Sequence, residues 1–380
     1  MKKILIDVSS AMPGGGIMGN YVSGIGQATI GLVDAFNEMQ EIPYEIELYA
    51  SGFQQRNFDF SRWKYKGHKI PVPIKISNRY PFFEASLRKL FASCDLYHIT
   101  TNYAATYGNE PFIVTIHDCT DMDKANSSDI SDSNREIYLK NYQRVTQASK
   151  AIVTVSEFSK SEILKYFDVD SDKVIVNYSG VNRNKFKKVS DEVVSEVLKT
   201  YKLESPFFFA CSCNRPRKNL ITALRAFKQF LTFEPEHIFV AAWANPTQEI
   251  RSEFAKEISD GKILFLPFLS DEEIVALYNA ASLSIYVSRK EGFGFPILES
   301  FACGTPIMTC RNSSLPEVGQ DVAIYVGEDN VDEMVDVMRM FEKGSYDTSL
   351  FIRKSENVLS RFTWENTAKR WLTIYSNILK

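Results

Sequence analysis

The nine residues EGFGFPILE, from Glu291 to Glu299, hold the most chemistry in this chain. They follow the apolar run LSIYVS, so a predicted strand feeds a glycine-rich loop bearing Glu291, and a helix starts near Pro296, a residue suited to a first turn. Gly292, Phe293 and Gly294 shape the loop. The N–H groups of Gly294, Phe295 and Ile297 are placed to receive phosphate at a helix N-terminus. Glu299 sits about one turn inside the helix, near enough to accept hydrogen bonds from a ribose, while Glu291 could reach a sugar. A hydrolytic carboxylate pair would not put one member in a loop and the other in a helix with phosphate-binding N–H groups between them.

A second constellation is FFFACSCNRPRKNLITALRAF, which reads as a strand, a polar loop and an amphipathic helix. Arg217 and Lys218 stand at the helix entrance, where cations oppose the macrodipole, so an anion is the obvious compensation. The pair therefore reads as a diphosphate clamp, with solvated loop charge as the alternative. His117 and Asp118 close the strand FIVTIHD, and the carboxylate is able to fix the imidazole tautomer. His98, ending LYHIT, shares the position without the acidic neighbour. Gly24 and Gly26 in SGIGQATIGLVDAF precede a helix and would let backbone N–H groups approach an anion. Thr29 stands where a dinucleotide fingerprint would have its third glycine, and a glycine-rich surface loop is the other reading.

Elements able to position these residues recur along the chain. Short apolar runs alternate with amphipathic helical stretches, the pattern of an α/β protein with parallel sheets buried on both faces. One series includes KKILIDV, EIELYA, LYHIT, FIVTIHD, AIVTVS and VIVNY; the other includes FFFACS, HIFVAAW, ILFLPF, LSIYVS, PIMTC and AIYVG. Between them, 185–206 is charged and helical and marks a domain border. Each half reads as Rossmann-like, with ligands expected beyond the carboxyl ends of strands. A length of 380 residues suits two domains. A net charge of −3 gives no global attraction to nucleic acid. The first apolar run is too short for a signal sequence and no stretch approaches a membrane span, so a cytoplasmic protein is expected. The six cysteines lack paired metal spacing and read as reduced core residues, with Cys211 and Cys213 on a strand.

At these motifs the chain resembles the retaining glycosyltransferases of family 4, of GT-B fold, in which two Rossmann-like domains face each other across a cleft. The E-x7-E motif is matched by EGFGFPILE, the phosphate loop by RPRKNL and the N-terminal-domain histidine by IHD. VSEFSKSEI, KVIVNYSGVNRNKF and PFLSDEEIVALYNAASLSIYVS extend the likeness, and FTWENTAKRWLTIYSNIL is similar to a helix that crosses back to the first domain. The resemblance implies an acceptor domain over 1–186, a donor domain over 187–362 and the returning helix over 363–380. It implies that Glu299 binds the donor ribose, Glu291 the donor sugar, and Lys218 with Arg217 the leaving diphosphate in place of a metal. His117 would lie against the transferred sugar, Gly24 and Gly26 would approach donor or acceptor, and Leu269 would meet the base. Relatives commonly have glycine where Cys211 and Ser212 stand, which puts the phosphate contact expected at Ser212 in question, and the usual proline before the E-x7-E loop is replaced around Val287.

The implied activity is retaining, metal-independent and cofactor-free hexosyl transfer from a nucleotide-diphosphate sugar to a glycan or lipid-linked oligosaccharide in surface polysaccharide synthesis. GDP-mannose is the first expectation, since the motifs look most like the mannosyltransferase branch; UDP- and dTDP-sugars stay open. The basic and aromatic segment 62–89 could dock on anionic membrane at the inner face of the cell membrane, or be a solvated face. Rival readings are a catalytically silent GT-B subunit and another enzyme class on the same scaffold, such as an epimerase.

Overall fold

A computed structural model describes residues 1–11, 22–51, 58–70, 90, 93–101, 111–123, 131–211, 213, 215–267 and 269–380. The chain forms two compact units, Met1–Gly180 with Phe362–Lys380, and Val181–Arg361. Both are built on parallel sheets flanked by helices.

Among the described residues the first unit holds seven strands: β1 (Lys3–Asp7), β2 (Glu45–Ser51), β3 (Lys66–Ile70), β4 (Leu96–Ile99), β5 (Phe112–Thr115), β6 (Ala151–Thr154) and β7 (Val174–Val176). They lie in the order β3-β2-β1-β4-β5-β6-β7, every pair parallel. Alternate residues enter opposite cores, as the two-residue period of a strand demands. Ile4, Ile6, Ile46, Leu48, Leu96 and Ile113 pack on one face, whereas Leu5, Tyr49, Tyr97, Ile99 and Val114 pack on the other. β3 was not among the runs read from the sequence. Its residues KGHKI lack an apolar signal because it is an edge strand, held by main-chain pairing to β2 and by contacts of Lys66 and His68 with Glu47.

The helix Trp364–Ile378 completes the first unit. Ala368, Trp371, Ile374 and Tyr375 join the core that contains Ile4, Val33 and Phe36. It meets the helix Gly24–Glu38 at Gly31, where any side chain would collide with the Trp364 indole.

The second unit holds β8 (Phe207–Ala210), β9 (Ile238–Ala242), β10 (Ile263–Leu266), β11 (Leu283–Tyr286), β12 (Ile307–Cys310) and β13 (Ile324–Val326). The order is β10-β9-β8-β11-β12-β13, again parallel throughout, which is the doubly wound arrangement whose direction of winding reverses between β8 and β11. The unit begins at Val181, ahead of the expected border, and the helix Asp191–Tyr201 belongs to it. The reason is packing: Phe186 meets the Tyr278 ring edge-on and Lys185 pairs with Asp271, both on the helix Asp271–Ala280.

Candidate functional site

The winding reversal of the second sheet brings two loops together, one after β8 and one after β11. The loop after β8 ends in a 3-10 turn, Pro216–Lys218, and Asn219 then takes a left-handed conformation (φ 59°) before the helix Leu220–Phe230. Its Nδ2 donates to the Glu328 carbonyl at 2.7 Å and its Oδ1 accepts from Thr222, so the turn is pinned on both sides. Arg217 and Lys218 thereby point towards the end of β11.

Glu291 meets them there. Its Oε1 lies 2.7 Å from Lys218 Nζ, its Oε2 lies 2.8 Å from Arg217 Nη1, and the Ser288 hydroxyl is 2.6 Å from Oε1. Burial alone would raise its carboxyl; the charges of Lys218 and Arg217 and the hydrogen bonds from Lys218 and Ser288 outweigh that and hold it at about 2. The loop itself is fixed by hydroxyls. Glu291 N–H donates to Ser313 Oγ, and Ser314 Oγ donates to the carbonyls of Glu291 and Phe293. The anion that offsets the helix-entrance cations is therefore a carboxylate of the chain.

The helix Phe295–Ala302 begins as the sequence indicated, with Pro296 in its first turn and Gly294 as a left-handed cap at φ 118°. One expectation needs correction. The Ile297 N–H donates to the Gly294 carbonyl at 3.1 Å, closing the first helical turn, and is not presented to a ligand. Phe293 and Phe295 stack edge to face above this turn. Glu299 lies within the helix and partly covered, with its Oε2 3.5 Å from the Tyr278 hydroxyl. Burial pushes its carboxyl up to about 7, against the pull of Lys185 and the Tyr278 hydroxyl. The two glutamates are thus driven apart in acidity. Leu269 is half-buried just before Ser270, which caps the helix Asp271–Ala280 through a capping box. Ser212 lies outside the described residues.

The remaining sequence-predicted residues belong to the first unit. Gly24 and Gly26 do not precede a helix but form its first turn, because Ser23 is the N-cap and its hydroxyl accepts the Gly26 N–H. That N–H is consumed by the cap, and a side chain at Gly26 would overlap the Ser10 carbonyl oxygen, so the glycine serves close packing. A side chain at Gly24 would meet open space. His117 is buried two residues beyond β5, and its Nε2 lies 3.0 Å from the Thr100 carbonyl oxygen, which can only accept. The Thr100 carbonyl, rather than Asp118 alone, sets the tautomer with hydrogen on Nε2. Asp118 Oδ1 accepts the Thr120 N–H. Burial lowers the pKa of His117, against the hydrogen bond to Thr100 and the charge of Asp118.

His98 is a core residue. Its ring is tilted against Trp371 with centroids 4.0 Å apart, Nδ1 meets the Tyr375 hydroxyl at 2.7 Å and Nε2 meets Thr115 at 3.1 Å; burial, then His117, bring its pKa down to about 3. Cys211 and Cys213 follow β8 rather than lying on it, with Cys213 Sγ near the Ala210 carbonyl, and all six cysteines are free thiols. Within the segment 62–89, Arg62 pairs with Asp34, Lys64 Nζ takes the Asn37 and Met39 carbonyls, and Lys66 lies 3.6 Å from Glu47. Residues 71–89 fall outside the described residues. Among the described residues no helix is long and apolar enough to cross a membrane. Sequence reasoning missed Ser288, Ser313, Ser314, Asn219 and Tyr286; only Ser288, three residues before Glu291 beside a strand end, carried a usable positional signal.

Two family models match in series. The model described as Glycosyltransferase Family 4 matches residues 22–185, and Glycosyl transferases group 1 matches residues 199–357. Among curated proteins, the serotype-specific mannosyltransferase WbdA of Escherichia coli is 27% identical over 257 residues, covering 65% of this chain and 31% of WbdA, so the chain spans about a third of that relative's length. The O-antigen chain mannosyltransferase RfbU of Salmonella typhimurium is 22% identical over 361 residues, covering 92% of this chain and 94% of RfbU. Among solved structures, a sucrose-phosphate synthase from Thermosynechococcus elongatus matches with TM-score 0.78 at 14% identity, over 100% of this chain and 99% of that one. Anabaena HepE in complex with UDP-glucose matches with TM-score 0.74 at 16% identity, over 99% of this chain and 100% of that one. With the two models accounting in order for most of its length, the chain belongs to the family 4 glycosyltransferases of GT-B fold.

Proposed function

We propose that this glycosyltransferase moves mannose from GDP-mannose, with retention at the anomeric carbon and without a metal, to a glycan or lipid-linked oligosaccharide in surface polysaccharide synthesis. The observation that carries the reading is the cluster of Arg217, Lys218 and Glu291 at the winding reversal of the second sheet, beside the N-terminus of the helix Phe295–Ala302. Two cations there face the place where a diphosphate would leave. The mannosyltransferases WbdA and RfbU support the sugar, and only at low identity.

In this reaction the bond between the anomeric carbon and the diphosphate oxygen breaks as the acceptor hydroxyl oxygen bonds to the same face of that carbon. The acceptor's proton passes to the leaving phosphate oxygen. Lys218 and Arg217 stabilise the charge growing on the diphosphate, each well-placed donor contributing about 3 kcal/mol. Glu291 accepts hydroxyls of the sugar and Glu299 those of the ribose. Backbone atoms of Leu269 meet the base.

Thermal-shift titration with GDP, UDP and dTDP, followed by turnover of the matching sugar donors with and without EDTA, tests this. GDP is expected to give the largest shift, and GDP-mannose turnover is expected to survive EDTA. Stabilisation by none of the three would refute the donor site, and a larger response to UDP or dTDP would replace the base.

A further inference from the structure

We propose that Tyr286 is a positioning residue of the transfer reaction, its ring and hydroxyl holding the Lys218 ammonium where the donor diphosphate must meet it. This rests on the reading of Lys218 as a diphosphate ligand.

Tyr286 is the last residue of β11 and is 4% exposed. Its hydroxyl lies 3.0 Å from Lys218 Nζ, and the same nitrogen stands 5.0 Å from the ring centroid. A phenylalanine would fill the same core space. A phenol oxygen taken out of water must recover a hydrogen bond, so its presence at this strand end calls for a partner, and Lys218 is one.

The geometry also explains what such a partner does. The backbone of Lys218 is already fixed, since its N–H donates to the Arg215 carbonyl at 2.9 Å and Asn219 N–H donates to that of Pro216 at 3.0 Å. What remains loose in a lysine is its four-carbon stem. Here Glu291 and Tyr286 hold its end, at 2.7 Å and 3.0 Å. They differ in kind. Glu291 neutralises the ammonium and, in the proposed reaction, is also asked to accept sugar hydroxyls. Tyr286 holds the ammonium without neutralising it, because burial and then Glu291 push its phenol well above the ordinary range and keep it uncharged. An ammonium oriented by a neutral oxygen and a ring face keeps its positive charge for the diphosphate. The Tyr286 backbone cannot drift, as its carbonyl accepts from Thr309 Oγ1 at 2.8 Å.

A double-mutant cycle on the full chain tests the assignment. Tyr286→Phe, Lys218→Met and the double variant are titrated with whichever of GDP, UDP and dTDP stabilises the wild type most, and turnover of the matching sugar donor is followed in parallel. Tyr286→Phe is expected to weaken nucleotide binding about fivefold, the worth of one hydrogen bond, and to lower kcat more than it changes KM. In the Lys218→Met background the same change is expected to have less than about a twofold effect. Tyr286→Leu, which also removes the ring, is expected to lose about thirtyfold, with Phe recovering part of it. Equal losses with and without Lys218 would mean a purely structural tyrosine and overturn the proposal. So would wild-type binding and turnover in Tyr286→Phe. If Lys218→Met itself leaves binding and turnover intact, the reading beneath the proposal fails first.

Discussion

The carboxyl edges of the two sheets are built from the same topology and handle polarity in opposite ways. In the second unit the edge carries charge that is met by charge: Arg217 and Lys218 close on Glu291 within 2.8 Å. In the first, the described groups meet neutral partners: Asp7 takes the Tyr49 hydroxyl and the Ser9 N–H, Asp118 the Thr120 N–H, His117 lies on the Thr100 carbonyl, His98 between Tyr375 and Thr115, and Gly26 against Ser10. A cluster holding two cations can exchange one anion for another, whereas these groups of the first edge include no cation. The proposed diphosphate ligands, Arg217 and Lys218, accordingly lie in the second unit.

The sharpest way to break that contrast is Lys218→Met, expected to lower kcat about 10²–10³-fold in donor turnover while the chain stays folded. Near-normal turnover would remove the charged edge from the chemistry. Glu291→Gln is expected to cost about 2–3 kcal/mol of stability, since two cations lose their counter-charge, with the deficit made up by added nucleoside diphosphate. A deficit that nucleotide does not reduce would count against an exchangeable anion.

In the first unit, Gly26→Ala is expected to cost about 2 kcal/mol through overlap with the Ser10 carbonyl, read by chemical denaturation, with nucleotide affinity unchanged. Weakened nucleotide binding in a variant of wild-type stability would instead put Gly26 in the site. The two glutamates give a pH test. Glu299 has a folded value of about 7 against an ordinary 4.5, so its contribution to stability is present below about 4.5 and is lost as pH rises through 7. Glu291, at about 2, contributes above 4.5 and loses that contribution as pH falls towards 2. Melting temperature between pH 5 and 8 should lose its downward slope in Glu299→Gln, and an unchanged slope would reassign it. The smallest effect is Gly24→Ala, expected to stabilise by up to about 1 kcal/mol because the methyl meets open space in a helical turn.

Much of this was legible in the residues. Parallel strands buried on both faces announce themselves as apolar runs, and all six strands of the second sheet were read that way. β3 was not, since KGHKI is polar and its place comes from pairing with β2. The loop and the start of the helix at Phe295–Ala302 followed from glycine and proline placement, and the position of Lys218 from a polar loop ahead of an amphipathic helix. The partnerships did not. That Glu291 satisfies Arg217 and Lys218, that a serine caps the Gly24 turn, or that His98 is tied to Tyr375 are contacts between residues distant in the chain or dependent on one rotamer. Periodicity carries no information about either.

The returning helix has a consequence for how the protein is made. Val181–Arg361 is one unbroken stretch, while the first unit needs Phe362–Lys380 to be whole. At ribosomal speeds of 5–20 residues per second, roughly 10–40 s pass between completion of Gly180 and arrival of the helix bearing Trp371 and Tyr375. Throughout that interval Ile4, Val33, Phe36 and His98 lack their cover, so the N-terminal half waits, with apolar surface open to chaperones, for the half that follows it.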